Sequence, residues 1–377
     1  MPVTLGPGIS PHSEKSSRFV RGASPGSLAD PTWKGDRMDP VKIGLVGYGF
    51  GGRYFHAPLI SAAAECDLLG VVTTSPERRA LIGQEHPSVT TFDSLEDLAA
   101  AGAEAVAIST PADTHSALTD RAIALGLSVV CDKPFALDPA AARQSVELAD
   151  AAGVTLSPYQ NRRWDSDFLA VRTLADAGTL GDVRRFESRF ERYAPANGPG
   201  LAGGGTLLDF GAHLVDQALV LLGPVESVYA EWRTRESGLD DEVFVALRHA
   251  GGAVSHLWGS WSQHAPGPRF RVTGTQGSLV VTTGDTQEDV LITGATPATV
   301  DTWGVEAFSD LDRLTTTEGS SPVTLERGAW DTYYPAFARA VRRQGPAPVA
   351  GADAVATADV LEAARVSATD HVTVPVR

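Results

Sequence analysis

Residues 41–52 read VKIGLVGYGFGG. The first six form an apolar run interrupted only by Lys42 and Gly44, the pattern of a strand buried on both faces. Directly behind it stand Gly47, Gly49 and Gly52 in the spacing G-x-G-x-x-G. The first glycine of such a loop permits a tight turn, the second lets the backbone approach a pyrophosphate, and the third lets the next helix pack on the sheet. The helix start then offers free N–H groups and its dipole to the phosphates. The loop of Gly47, Tyr48, Gly49, Phe50, Gly51 and Gly52 is therefore expected to cradle a dinucleotide, provided that βαβ units follow. Pro58 is awkward for a continuous helix, so a kink or an early end is expected there. His56 reads as a packed or capping residue.

Working outward, short apolar strands recur at LLGVVTT (68–74), AVAIST (105–110), LSVVCDK (127–133) and VTLSPYQ (154–160), separated by helical stretches such as 115–126 and 139–153. Strands alternating with helices imply a parallel sheet. Residues 39–160 thus read as a Rossmann, doubly wound α/β domain. Beyond residue 161 the rhythm changes. A helix at 165–178, a strand at 182–193 and a helix at 207–223 precede clustered strands at 226–234, 241–249, 252–261, 269–274 and 277–283. Glycine at the joints 249–252 and 275–277 suits tight hairpins. Residues 161–377 therefore read as an α+β domain for substrate binding and oligomerisation, with a mostly antiparallel open sheet helical on one face. It closes with helices near 334–343 and 353–369.

Residues 1–38 are rich in Pro, Gly, Ser and charge without an apolar period, and read as a disordered tail. Met38 stands just before the ordered pattern and is either a physiological start or the end of a dispensable segment.

The bulk composition excludes several classes. The chain has 377 residues and a net charge of −15, which counts against nucleic acid as the main partner and, less strongly, against an anionic membrane surface. No apolar run reaches the ~18 residues of a membrane span. The two cysteines, Cys66 and Cys131, form no disulfide framework or thiolate metal site, so a cytoplasmic location is expected.

Cofactor choice is read at the end of the second strand, VVTTSPERR (71–79). Thr74 and Ser75 stand there, and no carboxylate precedes Glu77. Hydroxyls with Arg78 or Arg79 suit a 2′-phosphate, giving NADP over NAD. Arginines turned to solvent with Glu77 turned inward would give NAD.

Further motifs follow in order: STPADTH (109–115), DKP (132–134), YQNRRWDSDF (159–168) and GGGTLLDFGAHLVDQ (203–217). Together with GYGFGGRYFHAPLI (47–60), they resemble the Gfo/Idh/MocA oxidoreductase family, within it the NADP-dependent scyllo-inositol dehydrogenase type. Asp132 departs from the family's usual glutamate before Lys-Pro. The resemblance implies Lys133, Asp209 and His213 as the catalytic set, and a nicotinamide-ribose loop of Thr110, Pro111 and His115. Asp209 and His213 lie four apart, on one face of a predicted helix. Histidine titrates near neutrality and suits acid–base work; lysine can stabilise an alkoxide, and a carboxylate four residues away can fix the imidazole tautomer or bind substrate.

Other readings fit the same residues. Asp209 suits a helix cap, His213 a core histidine, and His115 a cap for the next helix. Arg162 and Asp165, at the domain junction, suit either polyol hydroxyls or an interdomain salt bridge. No metal is expected, because Asp209 and His213 lack further ligands at suitable spacing. The function implied is hydride transfer between a nicotinamide cofactor and a secondary alcohol of a polyol, inositol or sugar. The alternatives are a non-catalytic dinucleotide-binding regulator and a glycosidase using transient oxidation. Relatives of this kind pair through the open sheet face, so a dimer or tetramer is expected.

Deleting residues 1–37 should leave melting temperature and turnover unchanged, since the segment has no apolar period with which to dock. Comparison of full-length and shortened proteins checks this, and a large loss in either quantity would show that it packs on the core.

Overall fold

The computed structural model describes residues 39–196, 198 and 204–376. The tail expected at residues 1–38 lies outside them.

Strand β1 (Val41–Val46) is buried along its length except at Lys42, as its apolar run requires. It is joined by β2 (Cys66–Val72), β3 (Thr90–Phe92), β4 (Ala105–Ile108), β5 (Ser128–Cys131) and β6 (Leu156–Pro158). All six are parallel, in the order β3-β2-β1-β4-β5-β6. The order reverses between β1 and β4, and the crevice outside the carboxyl ends of such strands is where α/β sheets bind ligands. The loops after β1, β4 and β5 all open there. They carry the glycines, Ser109–Thr110 and Asp132–Lys133.

The connecting helices are α1 (Ala57–Ala62), α2 (Pro76–Glu85), α3 (Leu95–Ala100), α4 (His115–Ala124) and α5 (Pro139–Ala152). The irregularity expected at Pro58 lies just before it. Residues Gly52–His56 form a π-helical turn, in which the Ala57 N–H reaches back to the Gly52 carbonyl. The wider turn accommodates a proline ring that a regular α-helix would force against the preceding carbonyl. The helix then ends early, at Ala62.

After β6 a 3₁₀ turn, Asn161–Trp164, leads into α6 (Ser166–Asp176) and the second sheet. Its strands are β7 (Val183–Glu191), β8 (Val225–Thr234), β9 (Asp240–His249), β10 (Val254–Ser260), β11 (Phe270–Gly274), β12 (Gly277–Val281), β13 (Arg313–Thr316), β14 (Gly319–Pro322) and β15 (Val374–Pro375). The order is β14-β13-β12-β11-β7-β10-β9-β8-β15. The expected hairpins β9–β10 and β11–β12 form, the first through Gly252 at φ +84°. Among the described pairs of this second sheet only β7–β10 is parallel. Strand β7 feeds a helix and the chain returns three strands later, so β10 lands beside β7 running the same way.

That helix is α7 (Thr206–Leu222). It buries Leu207, Phe210, Leu214, Val215 and Ala218 against the sheet, in a core shared with Phe168, Phe186, Phe270 and Leu361. Three later helices complete the chain: α8 (Gln287–Ile292), α9 (Tyr333–Val341) and α10 (Gly351–Asp370). Helix α9 does not stay with the second sheet. Tyr333, Tyr334 and Phe337 pack in one core with Ile43, Leu45 and Ile60. The chain thus closes back on the half it left at residue 160.

The junction is held by Arg163. Its guanidinium donates to both carboxylate oxygens of Asp216 in α7, at 2.8 and 2.6 Å, and to Asp353 in α10 at 2.9 Å. Asp216 is 2% exposed, so removing Arg163 leaves a buried carboxylate without its main partner. R163M should destabilise the fold by about 3–5 kcal/mol, and R163M/D216L by distinctly less, because the double change leaves no orphaned charge. Urea denaturation of both variants measures this, and equal losses would count against the pair.

Candidate active site

The glycine loop has the geometry of a phosphate cradle. Gly47 sits at φ +95°, and a Cβ there would strike the Ser109 carbonyl. A Cβ on Gly52 would strike the Gly47 carbonyl, so the third glycine is what allows the π-turn to lie against the strand end. At Gly49 a Cβ would meet nothing within 4 Å. The absent side chain there leaves open space for a ligand rather than relief from a clash. Tyr48 points away from the cradle, buried at 2% with its hydroxyl donating to Glu85 at 2.8 Å. Phe50 is 56% exposed at the mouth of the cleft. These residues fit a dinucleotide pyrophosphate.

Strand β2 ends at Val72, so Thr74 and Ser75 lie in the following loop rather than on the strand. The Ser75 hydroxyl caps α2, accepting from the Arg78 N–H at 3.2 Å and donating to Glu77 at 2.7 Å. Glu77 is exposed in the first helical turn. Arg79 is committed to Asp93 and Thr91. The Arg78 side chain is exposed and has no ion-pair partner among the described residues.

In the β4 loop, Thr110 hydrogen-bonds Thr114 at 2.6 Å and Pro111 is exposed. His115 does not cap α4, and both of its ring nitrogens have backbone partners. It is 1% exposed, with Nδ1 2.8 Å from the Pro134 carbonyl and Nε2 2.9 Å from the Thr110 carbonyl. It braces the β4 loop against the β5 loop. Burial lowers its pKa, but the Cys131 sulfur, the Asp132 carboxylate and the Pro134 carbonyl raise it to about 10. Two carbonyls facing the two ring nitrogens suit an imidazolium, which donates from both.

Asp132 turns toward the cradle. It accepts from Ser109 Oγ at 2.9 Å, and His56 Nε2 lies 3.3 Å from it. A Cβ on Gly51 would come within 2.8 Å of the same carboxylate. Burial pushes the Asp132 pKa up, but the hydrogen bond and charge of His56, with His115 and Lys133 nearby, hold it below the usual carboxylate range.

Lys133, Asp209 and His213 meet in a cleft of about 540 Å³ between the two sheets, within the size range of small-molecule sites. Lys133 Nζ donates to Asp209 Oδ1. Asp209 is not the cap of α7. Asp240 in β9 does that work, accepting from the Leu207 N–H at 2.6 Å, while its carbonyl accepts from Thr206 Oγ1 at 2.9 Å. No hydrogen bond joins Asp209 to His213 among the described residues; Asp209 Oδ1 accepts from Lys133 instead. The His213 Nδ1 is buried and has no hydrogen-bond partner among the described residues. Burial, then the charges of Lys133, Arg162 and Arg269, hold the His213 pKa well below its ordinary value. The ring is neutral at pH 7 rather than poised near neutrality.

Arg162 reaches the cleft as expected, donating to Glu288 at 2.5 Å and to Asp165 at 3.3 Å. Asp165 does not offer itself to a ligand. It is 1% exposed, and its other oxygen accepts from Trp330 Nε1 at 2.8 Å. Its part is to hold Arg162. Sequence spacing missed Phe190, Arg192, Trp261 and Glu288, which also wall the cleft. They come from three separate elements, and no local motif marks them.

Residues 41–160 match the family model described as an oxidoreductase family with an NAD-binding Rossmann fold, and residues 168–280 match the GFO/IDH/MocA C-terminal domain. The chain is 31% identical to a scyllo-inositol 2-dehydrogenase (NADP(+)) of Bacillus subtilis, over 90% of this chain and 96% of that protein. It is 32% identical to an inositol 2-dehydrogenase of Rhizobium meliloti over 63% and 74% of the respective chains. Among solved structures, the putative oxidoreductase yvaA of Bacillus subtilis superposes with a TM-score of 0.84 at 29% identity, covering 90% of this chain and 99% of that one.

Proposed function

The chain belongs to the GFO/IDH/MocA oxidoreductase family, and on that premise we propose that it catalyses reversible, NADP-dependent oxidation of a secondary alcohol on a polyol, inositol or sugar. The observation that carries this reading is the meeting of Lys133, Asp209 and His213 in one cleft beside the glycine cradle. The names of the inositol dehydrogenases among its relatives support the substrate class.

When bound, the nicotinamide supplies the hydride acceptor or donor. The glycine loop would hold its pyrophosphate, and Thr110, Pro111 and Asp132 would line its far end. The rest falls to the protein. The Lys133 ammonium, anchored on Asp209, donates to the substrate oxygen and stabilises the developing alkoxide. Asp209 balances that charge and aims it. His213, with Nδ1 sealed in, meets the substrate hydroxyl at Nε2 and accepts its proton in oxidation. Burial and the surrounding cations disfavour an imidazolium, so the proton accepted at Nε2 is released from there to water. The homo-oligomer would form on the open face of the second sheet, where Phe244 and Trp258 lie with ring centroids 5.2 Å apart.

K133A and H213A should each lower turnover by about 10²–10⁴-fold with cofactor affinity retained, as steady-state kinetics and cofactor titration would show. The depressed pKa of His213 sets a pH dependence. Its neutral form is present above that pKa and is lost only as pH falls through it, so the limb of kcat/KM for oxidation that belongs to His213 lies well below pH 6.5. A limb at or above 6.5 that vanishes in H213A would contradict the assignment.

Arg78 is the cation left to meet a 2′-phosphate. NADP should give the higher kcat/KM on any accepted substrate, and R78A should lower the NADP value while sparing NAD. A wild-type preference for NAD would sink this and point to Glu77 as the ribose ligand.

A further inference from the structure

Each cation walling the cleft has a carboxylate partner except one. Lys133 is paired with Asp209, and Arg162 with Glu288 and Asp165. Deeper in, Arg269 faces Asp167 at 3.4 Å. Arg192, which follows β7, has no carboxylate within 4.0 Å among the described residues. The following stretch, residues 194–208, contains no Asp or Glu that could supply one.

Arg192 is half-buried. Its guanidinium lies over a column of three aromatic rings, 5.0 Å from the centroid of Phe190, 5.4 Å from Phe210 and 5.1 Å from Trp261. The column is itself stacked, with centroids 4.1 Å apart between Phe190 and Phe210 and 4.6 Å between Phe210 and Trp261. Arg192 also stands where the cleft of about 540 Å³ meets an adjoining hollow of about 350 Å³ on the second sheet. A guanidinium spread over ring faces is held in place but hydrogen-bonded by none of them, so its donors remain available to a planar acceptor.

We propose that Arg192 is a specificity-determining residue and that the substrate is a polyhydroxylated carboxylate, a sugar or polyol acid, whose carboxylate it binds. This rests on the reading of the cleft as a polyol or sugar dehydrogenase site and narrows it. A carboxylate matches the guanidinium in charge and in two-point geometry. Burial against the rings, the leading influence on Arg192, lowers its pKa; an arriving anion offsets that cost. A single negative charge fits better than two. Asp132, Asp209 and Glu288 wall the same cleft, and would repel a phosphate dianion that one guanidinium cannot neutralise.

The test uses the full-length protein saturated with NADP, as wild type, R192Q and R192K. Matched pairs of neutral and acidic ligands, such as glucose with glucuronate and galactose with galacturonate, are compared by calorimetric titration and by cofactor absorbance, with glucose 6-phosphate as the dianion control. The acid of a pair should bind and turn over better than its neutral partner by roughly 10- to 100-fold, the range of a charged hydrogen bond. R192Q should bring that ratio to about one, R192K should restore part of it, and the phosphate should bind more weakly than the uronate. Equal or better use of neutral sugars by the wild type, or an R192Q loss equal for both members of a pair, overturns the proposal. If the acids bind through Arg192 but nothing in either set is oxidised or reduced, the anion site stands and the dehydrogenase reading fails.

Discussion

The buried pair between Arg163 and Asp216 is the constraint through which the two sheets share one site. Arg163 stands in the short turn after β6, and Asp216 lies inside α7. A helix is rigid along its axis, rising 1.5 Å per residue. Fixing α7 at Asp216 therefore also fixes His213, three residues earlier, and Asp209, two turns earlier. Two further bonds from the same turn grip the helix: Gln217 Nε2 donates to the Arg162 carbonyl at 2.9 Å, and Gln160 Nε2 donates to the Ala212 carbonyl at 3.4 Å. Asp209 is thereby presented to Lys133, which arrives from the other sheet. The pair need not contribute much net stability, because burying two ions costs about as much as their attraction returns. What it supplies is a single relative position.

The same matching of charge runs through the cleft and decides the state of His213. Carboxylates partner Lys133 and Arg162, yet none of them faces the imidazole. Taking a proton onto a ring so enclosed would add a cation to the charges of Lys133, Arg162 and Arg269, with desolvation added. The site therefore keeps the histidine in its accepting form by denying it a carboxylate. That differs from the familiar arrangement in which an acidic neighbour stabilises the imidazolium.

Much of the fold was legible because its signals are local. The apolar run before Gly47 and the glycine spacing specify a strand and a turn, and the βαβ rhythm specifies a parallel sheet. The glycines at the hairpin joints likewise name their turns. The site was legible in part. The motifs named Lys133, Asp209 and His213, and the three do line one cleft, but which of them pair depends on elements distant in the chain. Spacing on one helix suggested that Asp209 serves His213. The loop after β5 instead brings Lys133 to it. Asp209 near a helix start also resembled a cap, while the real cap, Asp240, arrives from a strand thirty residues later. Asp165 was open to polyol hydroxyls or to a salt bridge; it pairs with Arg162, and Trp330, from near the far end of the chain, takes its other oxygen.

Phe190 shows why residue type alone could not have sorted the cleft. Three arginines lie over this one ring, Arg162 at 4.5 Å, Arg192 at 5.0 Å and Arg269 at 5.6 Å from its centroid. The aromatic surface treats them alike, so the ring cannot be what separates their roles. The difference lies in what completes their hydrogen bonding. Glu288 and Asp165 hold Arg162 from either side, which makes it part of the wall and a fixed source of positive potential toward His213. Arg192 meets only ring faces, and a ring face can accept charge but cannot satisfy a fork of N–H donors. An arginine in that state keeps its donors free for water or for an arriving anion. This chemistry comes from Asp165 and Glu288, on the turn after β6 and in α8, rather than from the strand that carries Phe190 and leads into Arg192.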